Sequence, residues 1–331
     1  MGVAVSVIIP VYKVEKFIQR CTESLLDQTL ADVEFIFVDD ASPDRSMEIV
    51  HETVEKYPDV KDHVTILTHE HNKGLAGARN TGLAAAKGEY IYNCDSDDWV
   101  EPDALERLYK AAKEKDADIA YCDFYISFEK NERYMHNPAY STAEELLRKG
   151  FLGGKAKYNV WNKLVRASIY RDNGILFPEG HNMGEDMTMI MVAACSKTVA
   201  YIPKALYHYV KLNTGAYSNT TSQKHLDDIR FNMDRSICFL QDKFGDALAK
   251  EIGIFKLASK LPFLITDDKS QYKIWREWYP EANIYAFKNP EASLRIRIIQ
   301  WAASKNLFFI VKLHYRLIYR KAQIPFPSPH L

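Results

Sequence analysis

Apolar and polar positions fall into regular blocks over the first hundred residues. Residues 5–12 (VSVIIPVY) are almost continuously apolar. That predicts a buried parallel strand, because a strand covered on both faces loses its in–out alternation. Over 16–29, Phe17, Cys21 and Leu25, with Ile18 and Leu26, lie near helical spacing. A second apolar run, 33–40 (VEFIFVDD), ends in two carboxylates. The stretch 42–57 predicts a helix, with Ser42 as N-cap and Pro43 at its first position. A third strand is predicted over 64–69, an Ala-rich helix closed by Gly88 over 74–88, and a fourth strand over 89–98 that runs into Asp95-Ser96-Asp97-Asp98.

Strands that alternate with helices predict right-handed βαβ units: an α/β fold with a Rossmann-like, mixed and mostly parallel sheet flanked by helices. Such sheets bind ligands beyond the carboxyl ends of their strands. Tyr12, Asp39, Asp40 and the 95–98 cluster all fall at such ends. Further on, the pattern predicts an amphipathic helix over 102–115, a strand over 118–128, a short helix over 142–151, a loop and buried helix over 184–197, and a strand over 199–210. Beyond about residue 215 it turns helical, beginning with 226–244. The expected division is a catalytic domain over 1–215, with a nucleotide-binding half (1–98) and an acceptor half (99–215), and a helical C-terminal appendage over 216–331.

Composition narrows the class. Hydrophobic residues at 47% and charged residues at 26% are the balance of an ordinary globular chain with material for a sizeable core. Five scattered cysteines with no CxxC pair predict reduced thiols rather than a disulfide framework. No leader-like segment and no bilayer-length apolar run is seen, so a cytoplasmic location is expected. The net charge of −1 hides an asymmetry: residues 288–321 hold eight Lys/Arg and one Glu, a local +7. A basic end on an acidic body points to an anionic surface, and no nucleic-acid partner is expected.

The candidate chemistry begins at the carboxylate cluster. Hard divalent cations take oxygen ligands, and Mg²⁺ is commonly held by one or two carboxylates plus substrate phosphates. An Asp-x-Asp at a strand end offers that arrangement, although an acidic turn capping the helix near Pro102 would look the same. Glu185-Asp186 could supply a general base, or could be an acidic pair at a helix start.

VSVIIPVYKVEKFIQRCTESLLDQT, FIFVDDASPDRS, GLAGARNTGLAAAKGEYIYNCDSDDWVEPDAL and GEDMTM occur in this order and at suitable separations. Together they resemble the inverting family 2 glycosyltransferases of the GT-A fold, over roughly the first two-thirds of the chain. The resemblance implies transfer of a sugar from a nucleoside diphosphate sugar, UDP-linked by expectation, to an acceptor hydroxyl, as in bacterial cell-surface polysaccharide assembly. It implies a divalent metal (Mn or Mg) on Asp97 with Asp95, the latter also near the ribose. Tyr12 would stack on the base unless it is a core tyrosine, Asp40 would bond the base edge, and Asp39 would fix the loop around Ser42 and Asp44, although either Asp could instead cap the helix beginning near Pro43. Arg79 would lie near the base or the diphosphate, or else be a solvated helix residue. Ser96 belongs to the donor site. Asp186 would be the catalytic base, and Glu185 an acceptor contact or its support.

Residues 158–164 (YNVWNKL) resemble the segment leading to the acceptor pocket. Trp161 would stack on a sugar unless it is a buried core residue, and Lys163 would reach a phosphate of a lipid-linked acceptor. His208 could touch the diphosphate or the metal, or be structural. At the C-terminus, Leu307, Ile310, Val311, His314, Leu317 and Ile318 follow helical spacing beside Lys305, Lys312, Arg316 and Arg320. That pattern suits a basic amphipathic helix at the inner face of a membrane, or a helix docked on the core. Two rivals remain: a sugar-nucleotide nucleotidyltransferase, which would want a Gly-rich loop after the first strand, and a catalytically silent nucleotide-sugar-binding protein.

Overall fold

A computed structural model describes residues 2–212, 222–290 and 292–322. The chain forms two compact units, one from 1–144 and 158–236, the other from 145–157 and 237–331. The boundary expected at 215/216 differs from this division. The reason lies in the helix α8 (Gln223–Phe244), whose first half is anchored within the first unit. There Asn232 Nδ2 donates to the Met183 carbonyl at 2.9 Å, and the buried Ser236 hydroxyl reaches the Met187 carbonyl at 3.4 Å.

The first unit begins with β1 (Val5–Val11), α1 (Ile18–Leu26), β2 (Val33–Asp39), α2 (Ser46–Val54), β3 (Val64–Thr68), α3 (Gly74–Ala85) and β4 (Tyr90–Asn93). These follow the predicted alternation closely. One difference is the start of α2. Ser42 is not its cap, because the hydroxyl accepts from Lys13 N at 2.9 Å and donates to Asp44 Oδ1 at 2.7 Å. Asp44 then takes the Ser46 N–H and hydroxyl, so the helix begins four residues later.

After β4 come β5 (Trp99–Val100), α4 (Ala104–Glu114), β6 (Ile119–Ser127), β7 (Glu132–Met135), α5 (Ala143–Glu145), β8 (Lys163–Arg166), α6 (Ala167–Asp172), α7 (Thr188–Cys195), β9 (Val199–Val210) and α8 (Gln223–Phe244). Among the described residues these strands form one mixed nine-stranded sheet, ordered β3-β2-β1-β4-β8-β6-β9-β5, with β7 paired to β6. β1 to β4 pair in parallel, and β8 enters antiparallel beside β4. Sequence patterning missed β5, β7 and β8. All are short, and β8 overlaps the end of the segment expected to lead to the acceptor.

The core of this half is the continuous apolar filling of β1 and β2, every residue of β1 being buried. Helix α3 packs on it so closely that a Cβ at Gly82 would overlap the Ile8 side chain. The second unit holds α9 (Ala249–Ser259), α10 (Lys269–Glu277), α11 (Leu294–Ser304) and α12 (Phe308–Ala322), around buried Trp275, Phe255 and Leu257. Residues 145–157 join it partly through Arg148, whose guanidinium meets Glu251 at 2.7 Å.

Gly82→Ala is expected to lower unfolding stability by about 1–3 kcal/mol, the usual cost of overpacking a filled core. Urea denaturation compared with the parent chain measures it.

Candidate active site

The parallel register puts the carboxyl ends of β1, β2 and β4 at one edge. Val11 pairs with Asp39, and Asn93 with Ile8. Tyr12 follows β1 and is 40% exposed, an open ring at the strand end. Asp39 Oδ1 accepts the Ser42 N–H at 2.9 Å and so holds the 42–46 loop.

Asp40 lies elsewhere than expected. It is buried, and its carboxylate accepts the backbone N–H groups of Lys73 (2.7 Å) and Gly74 (2.9 Å) and meets His69 Nδ1 at 2.7 Å. It therefore caps α3 rather than presenting a free edge to a base. A carboxylate already given three donors inside the core has little left to offer a ligand. Of the two, Asp39 is the more open.

The 95–98 turn is braced from β9. Asp98 is buried; Val210 N donates to its Oδ1 and the Tyr207 hydroxyl to its Oδ2, both at 2.7 Å. Burial, then Asp97 and Asp95, push its carboxyl well above the usual range. The Tyr207 oxygen also accepts the Asp95 N–H at 3.2 Å. Ser96 is buried within the turn. Beneath it, the free thiols of Cys21 and Cys94 lie 4.0 Å apart under the Asp95 carbonyl.

Arg79 is the centre of the site. It comes from the middle of α3 and is 1% exposed, neither solvated nor open to a diphosphate. Its NH2 donates to Asp95 Oδ1 at 2.7 Å, while NH1 lies 3.4 Å from Glu185 Oε1 and 3.7 Å from Asp186 Oδ1. Burial works against its charge, but Asp95, Asp186 and Glu185 outweigh burial and raise its pKa. Residues 79, 95, 185 and 186, far apart in sequence, thus form one cluster.

Gly184, at φ +84°, turns the chain so that Glu185 and Asp186 enter it. The Asp186 side chain keeps 24% of its surface open, but its Oδ1 is buried without a hydrogen bond. Burial pushes its pKa up to about 6; Asp95 adds to this, while Arg79, Lys163 and the Val160 N–H pull it down. Glu185 is pushed up to about 8 by burial and by Asp186, against Arg79. One guanidinium facing three carboxylates leaves two negative charges unbalanced when all are ionised. Burial is the first cause of both upward shifts, and the neighbouring carboxylates add to it.

Other candidates lie inside the protein. Trp161 is buried and stacks on Tyr207 (centroids 4.4 Å apart) and Tyr209 (5.5 Å). The Lys163 ammonium, also buried, donates to the Asn159 carbonyl at 2.6 Å and to Asn162 Oδ1 at 2.8 Å. Burial lowers its pKa to about 7 despite the attraction of Asp186. His208 bridges Glu132 (2.8 Å) and Glu101 (2.9 Å) and stacks on Trp99. These residues brace the site and do not open into it. Tyr207, which ties the turn to β9, was not singled out from sequence; a strand tyrosine beside His208 carries no motif.

Among the described residues no group of three or more His, Cys, Asp or Glu could hold a metal ion alone. The chemistry of the donor set still fits a hard cation: Asp95 and Asp97 are oxygen ligands at a site with surplus negative charge, and such a cation can complete its shell from diphosphate oxygens and water.

The sequence model described as "Glycosyl transferase family 2" matches residues 6–177, just over half of the chain. EpsH of Bacillus subtilis (strain 168), named as a glycosyltransferase, is 32% identical over 213 residues, 62% of this chain. The chain spans 60% of EpsH's own length. The cholesterol galactosyltransferase of Borreliella burgdorferi is 30% identical over 92% of this chain and 94% of its own. Among solved structures, S. aureus TarS 1–349 in complex with UDP-GlcNAc superposes with a TM-score of 0.70 over 95% of this chain and 92% of its own, at 19% identity. That likeness assigns the GT-A fold: a mixed sheet flanked by helices, followed by a helical C-terminal region.

Arg79→Met should cost about 3–5 kcal/mol of stability, because it strands buried carboxylates without their cation; chemical denaturation reads this directly. Glu185→Gln acts the other way. A carboxyl with a raised folded pKa weakens the fold as pH climbs from about 4.5 toward about 8. The variant should therefore gain stability over the parent chain at pH 8 and lose that gain near pH 4, by thermal unfolding at both values.

Proposed function

The chain belongs to glycosyl transferase family 2, and from that membership and the site geometry we propose an inverting glycosyltransferase that moves a sugar from a UDP-linked donor to an acceptor hydroxyl. The observation that carries this reading is the partly open Asp186 carboxyl, set across one guanidinium from Asp95 of the strand-end Asp-x-Asp. A donor-binding group and a base on opposite sides of one buried cation suit a single displacement.

The Tyr12 ring stacks on the nucleobase, since an exposed aromatic face suits a planar base. Asp39 receives the base edge in place of Asp40, which caps α3. Asp95 and Ser96 meet the ribose side of the donor. Asp97 with Asp95 would hold a Mn²⁺ or Mg²⁺ ion, which supplies Lewis-acid neutralisation of charge on the departing diphosphate. Asp186 takes the proton of the acceptor hydroxyl as its oxygen bonds to the anomeric carbon. The bond from that carbon to the diphosphate breaks on the opposite side, and the configuration inverts. Glu185, raised to about 8, stays largely protonated and donates a hydrogen bond to an acceptor oxygen. Arg79 holds Asp95 and Asp186 in register.

Support for a UDP donor comes from TarS, whose structure holds UDP-GlcNAc. The acceptor is a saccharide or a lipid-linked saccharide in cell-surface polysaccharide synthesis, met on the cytoplasmic side of a membrane. No helix among the described residues is long and apolar enough to cross a membrane.

Asp186→Asn should lower kcat by about 10²–10⁴-fold, the usual worth of a positioned base, while donor binding stays intact by calorimetry; full activity in this variant would sink the assignment. The base works deprotonated, so kcat/KM should rise with pH through about 6 and fall away below it. Asp97→Asn should abolish Mn²⁺-dependent stabilisation by a UDP-sugar in thermal unfolding, a readout separate from turnover.

A further inference from the structure

The second unit carries the basic end of the chain, and its last two helices leave apolar residues uncovered. On α12, Val311 is fully buried and Phe308 stacks on Tyr272, centroids 4.9 Å apart, so this face is packed. The other face carries Phe309, Leu313 and Leu317, spaced i, i+4, i+8 and 70%, 56% and 57% exposed. α11 repeats the arrangement: Ile299, Ala302 and Ala303 are buried, while Leu294, Ile298 and Trp301 are exposed at helical spacing, with exposed Phe287 against Trp301 at 6.3 Å. The structure thereby divides the expected stripe. Val311 and half-buried His314 face inward, while Leu317 of that stripe joins Phe309 and Leu313, which the sequence pattern did not include, on the uncovered line. The side chain of Ile318 lies outside the described residues.

Charge identifies what covers this face. Exposed Arg316 and half-buried Lys312 lie one residue before Leu317 and Leu313, on one edge of the α12 stripe. At α11, half-buried Arg297 lies one residue before Ile298, and exposed Lys305, just past the helix end, lies four residues after Trp301. Arg316 reaches Asp267 at 3.9 Å, long for a committed ion pair. Over 288–321 the balance is +7. Apolar stripes edged by Lys and Arg match an anionic bilayer: the rings and Leu side chains enter the headgroup boundary, the long basic stems cover apolar surface, and the charged heads meet lipid phosphates. We propose that α11 and α12 form a docking face for an anionic lipid surface, through Leu294, Ile298, Trp301, Phe309, Leu313 and Leu317 with their basic flanks. The proposal deepens the transferase reading and rests on it only for its purpose, the meeting with a membrane-borne acceptor.

The test is flotation of the full chain with phosphatidylglycerol or phosphatidylcholine vesicles. At ~0.1 M salt, binding to the anionic vesicles should exceed binding to the zwitterionic ones by about tenfold or more, and should weaken at ~0.5 M salt. F309S/L313S/L317S should abolish flotation, and K312E/R316E should remove the anionic preference. The triple variant should keep the parent melting temperature, because Phe309, Leu313 and Leu317 lie on the outer face, and K312E/R316E is compared at a temperature where circular dichroism shows it folded. The proposal is overturned if the parent chain fails to float, if the triple variant floats equally well, or if lipid-free sedimentation shows a dimer that the triple variant loses, which would assign the face to a second copy. UDP-sugar turnover on a soluble acceptor separates the two readings. Turnover without flotation overturns the docking face alone, whereas flotation without turnover supports the face and overturns the transferase assignment.

Discussion

The buried guanidinium of Arg79 is the interaction on which the site depends. It stands in the middle of α3, a helix pressed onto β1 through Gly82 and fixed at its start by the Asp40 carboxylate. A cation so placed would be costly to bury alone, and it is stabilised by drawing in three acids from two distant stretches of chain. The same arrangement leaves those acids short of positive charge. Asp186 and Glu185 are both pushed upward, first by burial and then by neighbouring carboxylates. Active sites commonly keep such perturbed acids, because a base must be poised near the working pH.

Around this centre the protein uses core chemistry to hold polar groups still. Tyr207 links Asp98 to the Asp95 backbone, and Trp161 lies flat against Tyr207. The turn over 159–163, tied by the Lys163 ammonium, carries the Val160 N–H that meets Asp186. Residues with the chemistry of ligand contacts thus act as struts. The second unit carries its own core around Trp275 and presents a different surface, where uncovered apolar side chains stand beside fixed positive charge.

Much of the first unit was legible in the sequence for a plain reason. A strand covered on both faces is largely apolar, and β1, β2 and β4 are so apart from Ser6, Glu34, Asp39 and Asn93. The helices between them show their spacing, and the strand-end position of Tyr12, Asp39 and 95–98 follows from parallel topology. The short strands β5, β7 and β8 escaped because two to four residues carry no period. The unit boundary also escaped, since α8 is one unbroken helix whose first half is tied down by Asn232 and Ser236.

The sequence by itself marked the candidate side chains and, for those that follow β1, β2 and β4, the end of the sheet at which they lie, because alternation and spacing are local properties. Only the tertiary structure decided how they are used. Asp40 and Asp39 are adjacent acids with the same local pattern, and the difference between a buried cap and an open edge comes from where Lys73 and Gly74 arrive. Arg79 reads as either a donor-site arginine or a solvated helix residue, and the structure instead buries it among Asp95, Glu185 and Asp186. Trp161 and Lys163 look like contact residues until the neighbouring strands bury them. On α12 an apolar period does not say which face packs, because Phe309 and Val311 are equally apolar and only the neighbouring helices choose between them.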